Sequence, residues 1–211
     1  MRRCVLAGVA AALATTVHAV EKSDDAANAP ASSPWSFAIT AYPTDVRAGE
    51  NYTSAIAAAD RGPVHLEARY NYESVGARSA YVGWTFSGGD ALTWQVTPIV
   101  GGAWGTTRSA VAGAEASVAW RALDAYVEAE YVPTTSHEDA YVYAWSELGF
   151  RPAAWLRLGI VGQRTRTYGG QREIQRGLLA QVTWNAVTIG AYVFNPGAGD
   201  QVLMAMLGAK F

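Results

Sequence analysis

One stretch of the sequence holds the atoms that a hydrolytic site needs: Ser136-His137-Glu138-Asp139, with a hydroxyl, an imidazole and two carboxylates in a row. A nucleophile and its base must meet at about 2.6–3.2 Å, and four neighbours in a loop do not take up that geometry. The stretch therefore reads as a solvated polar loop, and no catalytic residue is assigned. His65 and Glu67, two apart, offer two metal donors, whereas zinc takes three or more protein ligands. No third can be placed beside them from sequence, so a satisfied interior pair is the expectation, with no metal and no cofactor. Gly101-Gly102-Ala103-Trp104-Gly105 is rich in glycine, but no helix follows that could present its N-terminus to a phosphate.

What the remaining charged residues can do depends on the elements that carry them, and the period of those elements is two. In Val64-His65-Leu66-Glu67-Ala68-Arg69-Tyr70-Asn71-Tyr72-Glu73, every even position is apolar or aromatic and every odd one polar. That is a strand with one greasy and one wet face. The same division runs from Leu123 to Val132 and from Trp155 to Gln163. Turn signals predict strands at 35–42, 50–59, 63–73, 79–87, 91–104, 109–120, 123–132, 140–150, 154–166, 173–184, 187–195 and 200–211. The weak pattern at 50–59 leaves ten strands as an alternative to twelve. The fold class expected is all-β, a closed antiparallel transmembrane β-barrel.

The connections sort into two sets. Asp60-Arg61-Gly62, Gly88-Gly89-Asp90, Arg121-Ala122, Arg151-Pro152-Ala153 and Asn185-Ala186 are tight, as periplasmic turns are. The connections at 43–49, 74–78, 105–108, 133–139, 167–172 and 196–199 are somewhat longer, as external loops are. Trp35, Trp84, Phe86, Trp94, Trp120, Trp184 and Phe211 then point outward near the periplasmic strand ends, and Tyr70, Tyr72 and Tyr131 form a thinner outer belt. The apolar faces are rich in Ala, Val and Gly, with rings gathered near strand ends. Lipid can cover such a face, whereas a soluble sandwich would need bulky interlocking residues there.

With that parity, His65, Glu67, Arg69, Glu73, Glu115, Glu128, Glu130, Glu147 and Arg157 face the interior. They predict either an ion-pair network that fills the lumen or, through the excess of carboxylates, a narrow cation-preferring path. Arg164, Arg166, Arg172 and Arg176 share the outward parity at the outer ends of two consecutive strands. Planar guanidinium groups there suit the phosphates of lipopolysaccharide; a merely solvated hairpin tip is the competing reading.

The last strand places Leu203, Ala205, Leu207, Ala209 and Phe211 on one face. In this the chain resembles the bacterial outer-membrane β-barrel superfamily, whose final strand ends in an aromatic residue preceded by alternating apolar residues. The resemblance covers the architecture and this strand, and no functional motif. It implies that the β-barrel assembly machinery reads Phe211 as its insertion signal.

The beginning of the chain agrees. Arg2 and Arg3, an apolar run from Cys4 to Ala14, and Val17-His18-Ala19 predict a signal peptide over residues 1–19. Cys4 opens the apolar run, so it does not occupy a lipoprotein position, and cleavage leaves no cysteine. Residues 20–34 lack apolar period and read as a flexible periplasmic tail, followed by the barrel over 35–211. Residues 1–19 carry two arginines and no acid, so cleavage moves the net charge from −2 to −4, which is no match for nucleic acid. Together these features predict a small outer-membrane barrel in contact with outer-membrane lipid and lipopolysaccharide, acting as a narrow passive channel or as a structural or interaction protein of the envelope. A lipid- or lipopolysaccharide-modifying enzyme is the alternative, and the barrel's oligomeric state is left open.

Overall fold

The computed structural model describes residues 34–47, 49–133, 140–167 and 172–211, apart from the side chains of Arg166, Thr167 and Arg172. The expected signal peptide, nearly all of the tail and the Ser136–Asp139 stretch lie outside these residues. The described chain is all-β: β1 (Ser36–Val46), β2 (Tyr52–Arg61), β3 (Val64–Tyr70), β4 (Arg78–Trp84), β5 (Phe86–Gly88), β6 (Leu92–Trp104), β7 (Ser109–Trp120), β8 (Leu123–Val132), β9 (Tyr141–Ala153), β10 (Leu156–Thr167), β11 (Arg172–Trp184), β12 (Val187–Phe194) and β13 (Val202–Lys210). Apart from β4 and β5, consecutive strands pair antiparallel, and β1 pairs with β13. The segments β4 and β5 both pair with β6 and form one interrupted strand, so the barrel has twelve strands and no free edge.

The interruption has a local cause. Pro98 on β6 has no N–H to give, and the ladder on that side skips from Gly83↔Ile99 to Phe86↔Val96. Thr85 leaves the ladder and donates its N–H to the Pro63 carbonyl at 2.7 Å instead. Gly83 permits the close approach, because a Cβ there would lie 2.9 Å from both Ile99 and Thr97 side-chain carbons.

Two prolines read as connections sit inside strands. β1 runs through Pro43 to Val46, since Pro43 falls where the β1–β13 ladder skips from Ala41↔Leu207 to Thr44↔Met204 while its pairing with Thr53 on β2 is kept. β9 likewise continues through Arg151-Pro152-Ala153, and the chain turns at Ala154-Trp155. A register shift between Leu156 and Leu158 takes up the irregularity.

The polarity is the inverse of a soluble barrel. Ile39, Val100, Ile160, Leu178, Ile189 and Leu207 are each half or more exposed on the outer face, whereas Glu67, Arg69, Glu128, Glu147 and Arg157 are buried inside. A contiguous apolar surface around a whole barrel far exceeds the few hundred Å2 that soluble monomers expose. The seven rings expected at the end where β1 begins and β13 ends are all exposed, reaching 79% for Trp184 and 74% for Phe211. The backbone of Phe37 and Phe211 exchanges hydrogen bonds at 2.7 and 2.9 Å, which closes the barrel at that end.

At the opposite end Tyr70 and Tyr131 are exposed, together with Trp104, but Tyr72 is not. Its expected place in the outer belt is corrected here: Tyr72 is 2% exposed and points inside. The strand stops at Tyr70 because Asn71 adopts a positive φ of 54°. The Asn71 side chain accepts from the Gly76 amide at 2.7 Å and donates to the Thr53 carbonyl at 2.8 Å. That turn breaks the alternation and folds Tyr72 and Glu73 into the mouth of the barrel.

Candidate functional site

The interior holds two charged clusters and a set of packed rings that touches both. In the first, Arg69 of β3 is surrounded by carboxylates from three strands. Its guanidinium contacts Glu67 on the same strand, lies 2.9 Å from Glu128 and 2.5 Å from Glu130 on β8, and 3.7 Å from Glu115 on β7. The rings of Tyr72 and Tyr81 flank it at 4.1 and 4.4 Å, so the cation is held by π faces as well as by acids. Tyr72 donates its hydroxyl to Glu128 at 2.6 Å, and Tyr81 donates to Glu73 at 2.7 Å.

His65 begins this cluster near the turn end of β3. Its Nδ1 lies 2.7 Å from an Asp60 carboxylate oxygen, and its Nε2 lies 3.3 Å from Glu67. His65, Glu67 and Glu115 are all buried, and one donor atom from each lies within 4.8 Å of the others. Glu115 is the third ligand-type residue that sequence could not supply. It stands on β7, separated from β3 by β4 and β6, and only barrel closure brings it across.

The second cluster is centred on Arg157 of β10. Its guanidinium contacts Asp124 of β8 and Glu147 of β9 at 2.5 Å each. Arg151 holds the other Asp124 oxygen at 3.0 Å. Glu147 also accepts from the Trp145 indole N–H and the Tyr192 hydroxyl, both at 3.0 Å, and Gln181 donates to Tyr192 at 2.7 Å. Gly149 makes room for the ion pair, since a Cβ there would stand 2.5 Å from Arg157 Nε and 2.7 Å from Asp124. Here two arginines meet two acids.

Tyr42, Tyr72, Tyr126, Tyr143, Trp145, Tyr192 and Phe194 pack with Met204 and Met206, and they touch both clusters: Tyr72 and Tyr126 bond to Glu128, Trp145 and Tyr192 to Glu147. Trp145 is wholly buried, with its ring 5.6 Å from Tyr192 and 5.5 Å from Phe194. Between this layer and the end where β1 begins lies a cavity of about 330 Å3, lined on the inside by Thr40, Gln181, Thr188, Met206 and Lys210. Sequence reasoning passed over these inward aromatics. Their signal was present in the parity of Tyr143, Trp145 and Glu147, which share one face of β9.

All nine residues assigned to the interior lie there, eight of them on strands and Glu73 on the turn that follows Asn71. Of the arginine group, Arg164 and Arg176 are exposed on the outer face of β10 and β11, and the backbone of Arg166 pairs with that of Arg172. The described contacts of His65 are carboxylates, and no serine hydroxyl is bonded to it among the described residues. His137 and its neighbours lie outside them.

No family model matches the sequence, and no curated protein matches it. Among solved structures, the outer membrane protein Omp33 of Acinetobacter baumannii is similar over 85% of this chain and 99% of its own, at 14% identity and a TM-score of 0.44. The closed ladder, the even number of strands and the inverted polarity speak for themselves. The fold is that of an outer-membrane-type β-barrel.

Proposed function

We propose that this chain is an outer-membrane barrel with a filled, non-conducting interior, serving as a structural or interaction protein of the Gram-negative envelope. Export through a signal peptide cleaved after Ala19 and insertion by the β-barrel assembly machinery, with Phe211 as signal, belong to the same proposal. The apolar outer face supports contact with outer-membrane lipid. The packed rings around Trp145 carry the closed reading, because they fill interior space and are almost inaccessible to solvent. In planar lipid bilayers the refolded protein is expected to remain silent across the applied voltage range, its folding verified by a heat-modifiable shift on gels. Stable, cation-preferring current steps would overturn the closed reading and favour the narrow channel that the excess of carboxylates suggests.

Exposed Arg164 and Arg176 support a contact with lipopolysaccharide phosphate at the loop end, and the proposal extends to Arg166 and Arg172 on sequence alone. Substituting glutamine at all four positions is expected to reduce lipopolysaccharide retained on the purified protein, with the gel shift intact. Retention equal to wild type would mark the arginines as ordinary rim charge.

A further inference from the structure

The two charged clusters differ in balance. Around Arg157 and Arg151 stand Asp124 and Glu147, one acid for each base. Around Arg69 and His65 stand six carboxyl groups: Asp60, Glu67, Glu73, Glu115, Glu128 and Glu130. Even with a fully charged imidazolium, and with Lys210 acting on Asp60 at the turn end, that cluster is short of positive charge, and buried carboxylates without a counter-charge are costly.

The shortage is localised by His65. Asp60 accepts from Nδ1 at 2.7 Å, which leaves Nε2 as the free donor atom of the neutral ring, and Nε2 faces a Glu67 oxygen at 3.3 Å. A lone pair and a carboxylate do not face each other unless something positive lies between them. A carboxylate that orients a histidine through its distal nitrogen is also the usual outer partner of a metal-bound imidazole. Glu115 completes the set: it is 8% exposed, and its ion pair with Arg69 is a loose 3.7 Å.

We propose that His65 Nε2, Glu67 and Glu115 bind a divalent cation of the zinc class inside the barrel, with Asp60 positioning the histidine. The donor atoms lie within 4.8 Å of one another, close to the span that bonds of about 2.0–2.2 Å to a shared ion require. One imidazole nitrogen with carboxylate oxygens suits zinc better than magnesium or calcium, which take oxygen donors throughout. The route in is the turn end, where the Asp60 side chain is 46% exposed. The site does not depend on whether the barrel conducts.

The test uses the full chain, refolded in detergent, stripped with chelator and checked by its gel shift. Zinc is titrated by calorimetry, and cobalt, as a spectroscopic substitute, by visible absorption. One zinc per barrel is expected, with cobalt bands unlike those of the hydrated ion and only weak competition from magnesium or calcium. Glu115→Gln and His65→Gln should each lower the affinity at least about tenfold, and Asp60→Asn by about 10–100-fold through loss of the outer partner. If His65→Gln does not fold, the nearly isosteric Glu115→Gln and Asp60→Asn decide the matter. A folded wild-type barrel that takes up no stoichiometric zinc would mean that a proton on Nε2 fills the gap, and the proposal fails. Binding left unchanged in the folded variants would place the ion elsewhere and overturn it equally.

Discussion

Replacing Arg69 with methionine is expected to destabilise the folded barrel by about 3–5 kcal/mol, the cost of breaking a buried charge pair by removing one partner. Methionine keeps much of the side-chain length and can still lie between the Tyr72 and Tyr81 rings, so the loss is chiefly electrostatic. Glu67, Glu128 and Glu130 would each lose their guanidinium contact at once. The measurement is the urea midpoint of the protein in lipid vesicles, followed by tryptophan fluorescence at constant slope. Adding Glu128→Gln and Glu130→Gln to the methionine variant should recover part of the loss, because amides do not need a counter-charge. A methionine variant within about 1 kcal/mol of wild type, the scale of an exposed pair, would show that the Arg69 cluster is hydrated and not buried.

Truncating Trp145 to alanine is expected to open a conducting path in a barrel that is otherwise silent. The indole is wholly buried and packs edge-on against Tyr192 and Phe194 at about 5.5 Å. Its removal takes the largest fully buried side chain from the packed rings, beside Tyr192, which is hydrogen-bonded to Gln181 in the wall of the 330 Å3 cavity. Large-to-small changes of this kind cost about 3–5 kcal/mol, and the variant also loses the indole donor to Glu147. Water follows into a gap walled by Glu147, Gln181 and Arg157, since polar cavities of that size hydrate. Current steps from the variant in planar bilayers, against silence from wild type, are the expected result. A folded variant as silent as wild type would show that the ion-pair clusters, not the rings, form the barrier. Trp145→Phe, which keeps a ring, should stay closed and be the milder in stability.

Much of the architecture was legible along the chain because a strand writes its two faces into a local period of two. The alternation from Val64 to Tyr70 and from Leu123 to Val132 assigned the inward acids and the outward rings without any knowledge of neighbours. The limits of the period were local as well. Asn71 turns with a positive φ and reverses Tyr72, and that conformation is a choice asparagine permits but does not dictate. Pro43 and Pro152 were read as breaks, yet each falls where the ladder needs no N–H on that side, and register alone reveals this.

By itself the sequence determined the class of fold, the number of strands to within two, and the polarity of each face. Only the tertiary structure decided which inward residues meet. Glu115 reaches His65 and Glu67, and Glu128 reaches Arg69 and Tyr72, across strands that are not neighbours in the sheet. Such meetings are fixed by how the sheet closes, and closure is set by the stagger of all twelve strands together. A periodicity can say that a side chain faces inward; the circumference of the barrel says what it faces.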